Sequence, residues 1–147
     1  MIPPLRAAFA AVMLIALLAA CSPAADVSPS PSAPESLVGS SWRAISVAGT
    51  SPVAGSEPTL AFAADQVSGT TGCNQYFGGY TYAEGSIKFD QVGMTMMACD
   101  GPIGTVEAVY TAALNGATTV AIDDGGQLLL SGTGGDVLFK PDSEASR

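Results

Sequence analysis

The stretch from Gly69 to Tyr80 constrains this chain more than any other. It reads Gly-Thr-Thr-Gly-Cys-Asn-Gln-Tyr-Phe-Gly-Gly-Tyr, with four glycines and an asparagine around Cys73 and aromatics close behind. Glycine reaches positive φ and lets one backbone approach another. Asparagine tolerates the left-handed region and can bond its own backbone. Gly72-Cys73-Asn74 is therefore expected to form a tight buried corner, covered by Tyr76, Phe77 and Tyr80. A second cysteine, Cys99, closes Thr95-Met96-Met97-Ala98-Cys99. Neither stretch is catalytic equipment.

The first twenty residues read as an address. One positive charge at Arg6 precedes an unbroken apolar run from Ala7 to Ala20. That run is shorter than the roughly 20 residues a membrane-spanning helix needs, and its flanks suit a cleaved signal. Leu18-Ala19-Ala20-Cys21 follows the lipoprotein pattern, so cleavage before Cys21 and lipidation of its sulfur are expected. The alternative is an ordinary secretory signal with Cys21 incidental. Two or more acyl chains anchor a protein stably where one does not.

Residues 21–36 form a Pro/Ser/Ala-rich tether. It is too poor in apolar surface to offset its ordering entropy, and it is expected to offer the core almost nothing. The domain proper is read as residues 37–140, followed by a polar tail at 141–147. Ser22 rather than Asp follows Cys21, which points to the outer membrane if the host has one, and otherwise to the outer face of the plasma membrane. Removal of Arg6 with the leader leaves four bases against thirteen acids, a net charge of −9. Nucleic-acid binding needs a basic surface, so that class is excluded as a partner.

Short apolar runs separated by glycine turns fill the rest. Strands are expected over Trp42–Val47, Thr59–Ala63, Val67–Gly69, Tyr80–Tyr82, Ser86–Phe89, Val92–Met97, Thr118–Ile122, Leu128–Ser131 and Val137–Lys140. Ala83-Glu84-Gly85 and Asp123-Asp124-Gly125-Gly126 supply two of the turns. One helix interrupts them. Val106, Val109, Tyr110, Ala113 and Leu114 recur at helical spacing. Thr105 is the expected N-cap, Glu107 falls in the expected first turn, and Asn115-Gly116 is the stop. The pattern predicts an α+β fold, a curved antiparallel sheet or partly open β-barrel packed by one α-helix.

Chemistry-bearing patterns are scarce. The chain has no histidine, the commonest general base and metal ligand. No nucleophile elbow or phosphate loop occurs, and Asp123-Asp124 lacks the spacing of a calcium loop. No catalytic, cofactor-binding or metal-binding set is read, and no enzymatic activity is expected. Met94, Met96, Met97 and Cys99 are close in sequence, and thioether with thiolate suits Cu(I). Strand alternation opposes that reading: Met94 and Met96 would share a core-filling face, with Met97 on the other.

The motif Gly69-x-x-Gly72-Cys73-Asn74-x-Tyr76-x-Gly78-x-Tyr80, followed by Thr95-x-Met97-Ala98-Cys99 and then Glu107, resembles the META domain. This is the family of the bacterial heat-shock protein HslJ. The resemblance runs from about Leu37 to Lys140. It implies an antiparallel, partly open barrel with a single helix, no enzymatic activity, and a link with envelope stress and drug tolerance. Export would place the domain where disulfides persist, and lipidation of Cys21 would leave two of the three cysteines. Cys73 and Cys99 close the two motifs of the resemblance, so a structural bridge between them is expected. Two buried free thiols are the alternative.

Two function classes follow. One is a non-enzymatic, membrane-anchored envelope lipoprotein that binds an unknown envelope protein and supports integrity or stress tolerance. The other is a carrier of a small apolar ligand, with Tyr76, Phe77, Tyr80 and Tyr82 lining the barrel mouth. Core packing is the plainer role for those rings.

Overall fold

Alternation along short strands decides the architecture, because successive side chains in a strand face opposite sides. A computed structural model describes residues 30–144. The signal sequence, Cys21 and the tether through residue 29 lie outside the described residues, as do residues 145–147. The elements are β1 (Ser41–Val47), β2 (Thr59–Phe62), β3 (Gln66–Thr70), β4 (Gln75–Ala83), β5 (Ser86–Met94), α1 (Gly101–Gly116), β6 (Ala117–Ile122), β7 (Leu128–Gly132) and β8 (Val137–Pro141). Each strand pairs antiparallel with the next, and β8 returns to β1, closing a barrel. Trp42, Ala44, Leu60, Phe62, Val67, Tyr76, Tyr80, Leu128, Leu130, Val137 and Phe139 fill its interior.

The ring is weakest between β5 and β6, where a single residue pair, Ser86 with Thr119, holds the register. The sparse pairing at this seam is the nearest the ring comes to the open side of the expected antiparallel barrel, and the Val120 N–H to Gly85 carbonyl bond of 2.8 Å helps to close it. The β4–β5 hairpin turns at Glu84 and Gly85, both at positive φ, which matches the right-handed strand twist. A bulge follows where Phe77 pairs with Gly93 but Gly79 pairs with Asp90. The extra β5 residue is accommodated by Gln91 at φ 49°, as bulges commonly require.

Helix α1 lays Val106, Tyr110, Ala113 and Leu114 onto the core, with Val109 partly buried. The expected apolar face and the stop at Gly116 are both present. The expected start is not. Asp100 stands at the N-cap and Pro102 in the first turn, where its missing N–H costs nothing. Thr105 lies inside the helix and its hydroxyl donates back to the Gly101 carbonyl at 3.1 Å. Glu107 is therefore in the second turn, too far along for the N-terminal dipole to explain it.

The structure carries the fold past both boundaries read from composition. Ser32 pairs with Ile122 through two backbone hydrogen bonds of 2.9 and 2.8 Å, and the Tyr82 hydroxyl donates to the Pro34 carbonyl. The last residues of the expected tether thus lie along β6, beside the weak seam. At the other end, Pro141 pairs with Trp42. Arg43 binds Asp142 at 3.2 Å and Glu144 at 2.8 Å.

Strand runs also differ from expectation. Gln75–Ala83 is one continuous strand running through the glycine-rich stretch, and Ser86–Met94 is another. Residues 95–100 leave the sheet, so two-residue alternation ends at Met94. Met94 packs against the core, while Met96 is 95% exposed and Met97 60% exposed. The expectation that Met94 and Met96 share a core face is corrected accordingly.

Candidate functional site

The β3–β4 corner is assembled from its own side chains. The Thr71 N–H donates to the Asn74 carbonyl at 2.8 Å, and the Thr71 hydroxyl accepts the Asn74 N–H at 2.8 Å. Gly72 turns the chain at φ 94°, and a side chain there would strike the Ser56 carbonyl. Cys73 and Asn74 are buried, as the sequence predicts. Cys73 is bonded to Cys99, with Cα atoms 6.1 Å apart, so the bridged alternative holds.

Asn74 ties this corner to two other elements. Its amide donates to Glu107 Oε1 at 2.6 Å and to the Met97 carbonyl at 3.0 Å. Its oxygen accepts the Met97 N–H at 2.7 Å and the Thr95 hydroxyl at 2.8 Å. The side chain pairs with Met97 as a neighbouring strand would. Thr71 completes the set by donating to the same Glu107 oxygen at 2.9 Å. Hydrogen bonds to a charged group contribute about 1.5–3 kcal/mol each. Glu107 is thus bound to the corner by charge-assisted bonds from two residues.

A second network sits deeper. The Tyr76 hydroxyl donates to the Thr59 carbonyl at 2.6 Å and meets the Tyr110 hydroxyl at 2.9 Å. Gly69 lies opposite Tyr76, and a Cβ there would collide with both the Thr59 carbonyl and that hydroxyl. The Tyr76 and Tyr110 rings lie 6.0 Å apart, and the Tyr110 and Phe139 rings 6.3 Å apart. Burial pushes both phenols well above their ordinary range, and for Tyr110 the neighbouring Tyr76 adds to the effect. These rings occupy the space that an interior guest would need.

The motif residues therefore divide. Gly69, Gly72, Cys73, Asn74, Tyr76, Thr95, Met97, Cys99 and Glu107 converge at the corner and the Tyr76 network below it. Gly78 passes close to Asp90 and Val92 on β5. Tyr80 packs edge-on against Phe62, 5.0 Å away. Phe77 does not turn inward: it is 68% exposed, because inward-facing Tyr76 forces its neighbour outward. A barrel mouth lined by Tyr76, Phe77, Tyr80 and Tyr82 is not formed. The disulfide also removes the thiolate on which the Cu(I) reading of Met94, Met96, Met97 and Cys99 depended.

Thr71 and Thr59 belong to these networks without a marked sequence signal, and Tyr110, expected only as part of the helix's apolar stripe, adds a buried hydroxyl to them. A threonine three residues before an asparagine is a weak signal for a side-chain-capped turn, and it was available for Thr71. Thr59 takes part through its carbonyl, which no side-chain pattern marks.

Outside the barrel, Met94, Met96, Met97 and Ala98 line an open groove of about 610 Å³, with Asn74 and Glu107. Among the described residues no helix is long and apolar enough to cross a membrane.

An eight-stranded antiparallel barrel, with one helix inserted between β5 and β6 and a cystine-locked corner, defines a small β-barrel domain class. Residues 35–144 match the model of the META domain. The chain belongs to the META domain family. It is similar to a protein from Burkholderia xenovorans solved by NMR, at 30% identity and TM-score 0.62, over 83% of this chain and 97% of that one. A second NMR structure shares the fold at 22% identity and TM-score 0.60, over 71% of this chain and 90% of that one. No curated protein matches the chain.

Proposed function

We propose that this chain is an exported lipoprotein, cleaved before and anchored through Cys21, whose META domain works in the cell envelope as a non-enzymatic binding module. Its partner is an envelope component, and its contribution is to envelope integrity or stress tolerance. The observation that carries this reading is the Cys73–Cys99 bridge at the motif corner, since such bridges persist in oxidising compartments. The Leu18-Ala19-Ala20-Cys21 pattern supplies the anchor.

The non-enzymatic part is supported by the chemistry of the core. The phenols of Tyr76 and Tyr110 are sealed inside the barrel and strongly favour their neutral forms. The groove carries one carboxylate, Glu107, whose Oε1 is held by Thr71 and Asn74.

Metabolic labelling with a fatty-acid probe tests the anchor. Wild type takes up the label and stays with membranes, while Cys21→Ser loses both. Retention of the mutant in the detergent phase at the wild-type level would defeat the assignment.

A further inference from the structure

The groove beside the disulfide pairs an apolar surface with an unneutralised carboxylate. Met96 and Met97 are largely exposed, and methionine's flexible, polarisable thioether adapts to irregular apolar guests. Ligand pockets commonly span about 300–1,000 Å³, and this groove measures about 610 Å³. Glu107 Oε1 is occupied by Asn74 and Thr71. Among the described residues no donor reaches Oε2, and no cation pairs with the carboxylate. Arg43 serves Glu57, Asp142 and Glu144, and Lys88 serves Asp90. Lys140 borders a separate depression with Arg43 and Glu57.

We propose that this groove binds a small amphipathic cation, an alkyl or aryl body against Met94, Met96, Met97 and Ala98 with an ammonium on Glu107. The assignment rests on the binding-module reading above and names its ligand class. Charge complementarity selects the occupant: an anionic amphiphile would meet Glu107 with like charge, and a neutral one would leave it unpaired. Asn74 and Thr71 hold Oε1, leaving Oε2 as the oxygen to receive the cation. The same two residues fix the carboxylate in place, so the site is organised before a ligand arrives.

The test titrates the oxidised full chain carrying Cys21→Ser with octylammonium, octanoate and octanol, each below its micelle-forming concentration. NMR follows the methionine methyls and the Asn74 side-chain amide. Octylammonium is expected to give saturable shifts at Met96, Met97 and Asn74, with octanoate at least tenfold weaker. Glu107→Gln keeps an acceptor for Asn74 and Thr71, and should weaken octylammonium about three- to tenfold, to the level of octanol. Exposed ion pairs carry gains at the lower end of that range. Met96→Gln with Met97→Gln should weaken all three probes.

Equal affinity for the three probes, or octylammonium binding unaffected by Glu107→Gln, overturns the proposal. So does the absence of saturable shifts, or saturation only by a basic polypeptide. Failure here is distinguishable from failure of the broader reading. A lipid-labelled, membrane-retained chain that binds an envelope partner undiminished by the methionine double variant would keep that reading and dismiss this groove.

Discussion

Asn74 in the β3–β4 corner donates a 2.6 Å hydrogen bond to Glu107 on α1, two residues 33 apart in sequence. The same amide grips the backbone of Met97. One side chain therefore couples the barrel corner, the helix and the segment that carries Cys99.

Asn74→Ala should lower stability by about 2–4 kcal/mol, because it removes several hydrogen bonds and leaves the Met97 backbone groups and Glu107 short of partners. Denaturant midpoints of wild type and variant measure this. Asn74→Asp should be no better at neutral pH, since it sets a second carboxylate beside Glu107, and it should recover partly as acid protonates one of the pair. A change under 0.5 kcal/mol for Asn74→Ala would remove the corner from the list of stabilising elements.

The Cys73–Cys99 bridge closes a loop with a sequence separation of 26. The chain-entropy model assigns such a loop roughly 3–4 kcal/mol. Cys73→Ala should cost about as much as Cys73→Ala with Cys99→Ala, since either change abolishes the bridge. Thiol titration of the oxidised, unfolded protein should find neither Cys73 nor Cys99 reactive.

The Tyr76–Tyr110 pair makes stability sensitive to alkali. Burial raises both folded-state pKa values above the ordinary tyrosine value of 10.0. The unfolded chain therefore releases these protons at lower pH than the folded one. The pair's contribution is present in full below about pH 10 and is lost as pH climbs toward the folded values. Absorbance of tyrosinate should show at least two of the four tyrosines titrating only with unfolding, since burial raises Tyr80 as well. Tyr110→Phe should reduce the alkaline slope of the denaturation midpoint. Smooth titration of all four in the folded protein would contradict the sealed network.

Trimming the N-terminal strap should be felt at the β5–β6 seam. A chain beginning at Leu37 loses the Ser32–Ile122 pairing and the Tyr82–Pro34 contact, at about 1–2 kcal/mol for bonds of this kind. A chain beginning at Ser30 keeps both and should match the full domain. Hydrogen exchange at the Ile122 amide, expected to rise only in the shorter chain, reads the difference directly.

Much of the barrel and its helix was legible in the sequence, because burial in a strand or helix follows local periodicity. Val106, Tyr110, Ala113 and Leu114 recur as an inward stripe. Gly85 and the Gly72 corner punctuate the chain through positive-φ conformations open to few other residues, and Gly116 ends the helix where a Cβ would meet Gly134 and Thr133. Strand alternation alone could even have placed Phe77 outside, had the strand been drawn through the glycines. The convergence on Glu107 was not legible. It joins Thr71 and Asn74 to the second turn of α1 across 36 and 33 residues, and hydrogen-bond partners at that range have no periodic signature. Nor could composition show that Ser32 lies along β6, since a backbone-paired segment needs no apolar side chain. Only the tertiary structure decided that Met96 and Met97 stand exposed beside Glu107. The Asn74 amide takes the place of a strand neighbour for Met97 and holds the segment out of the sheet.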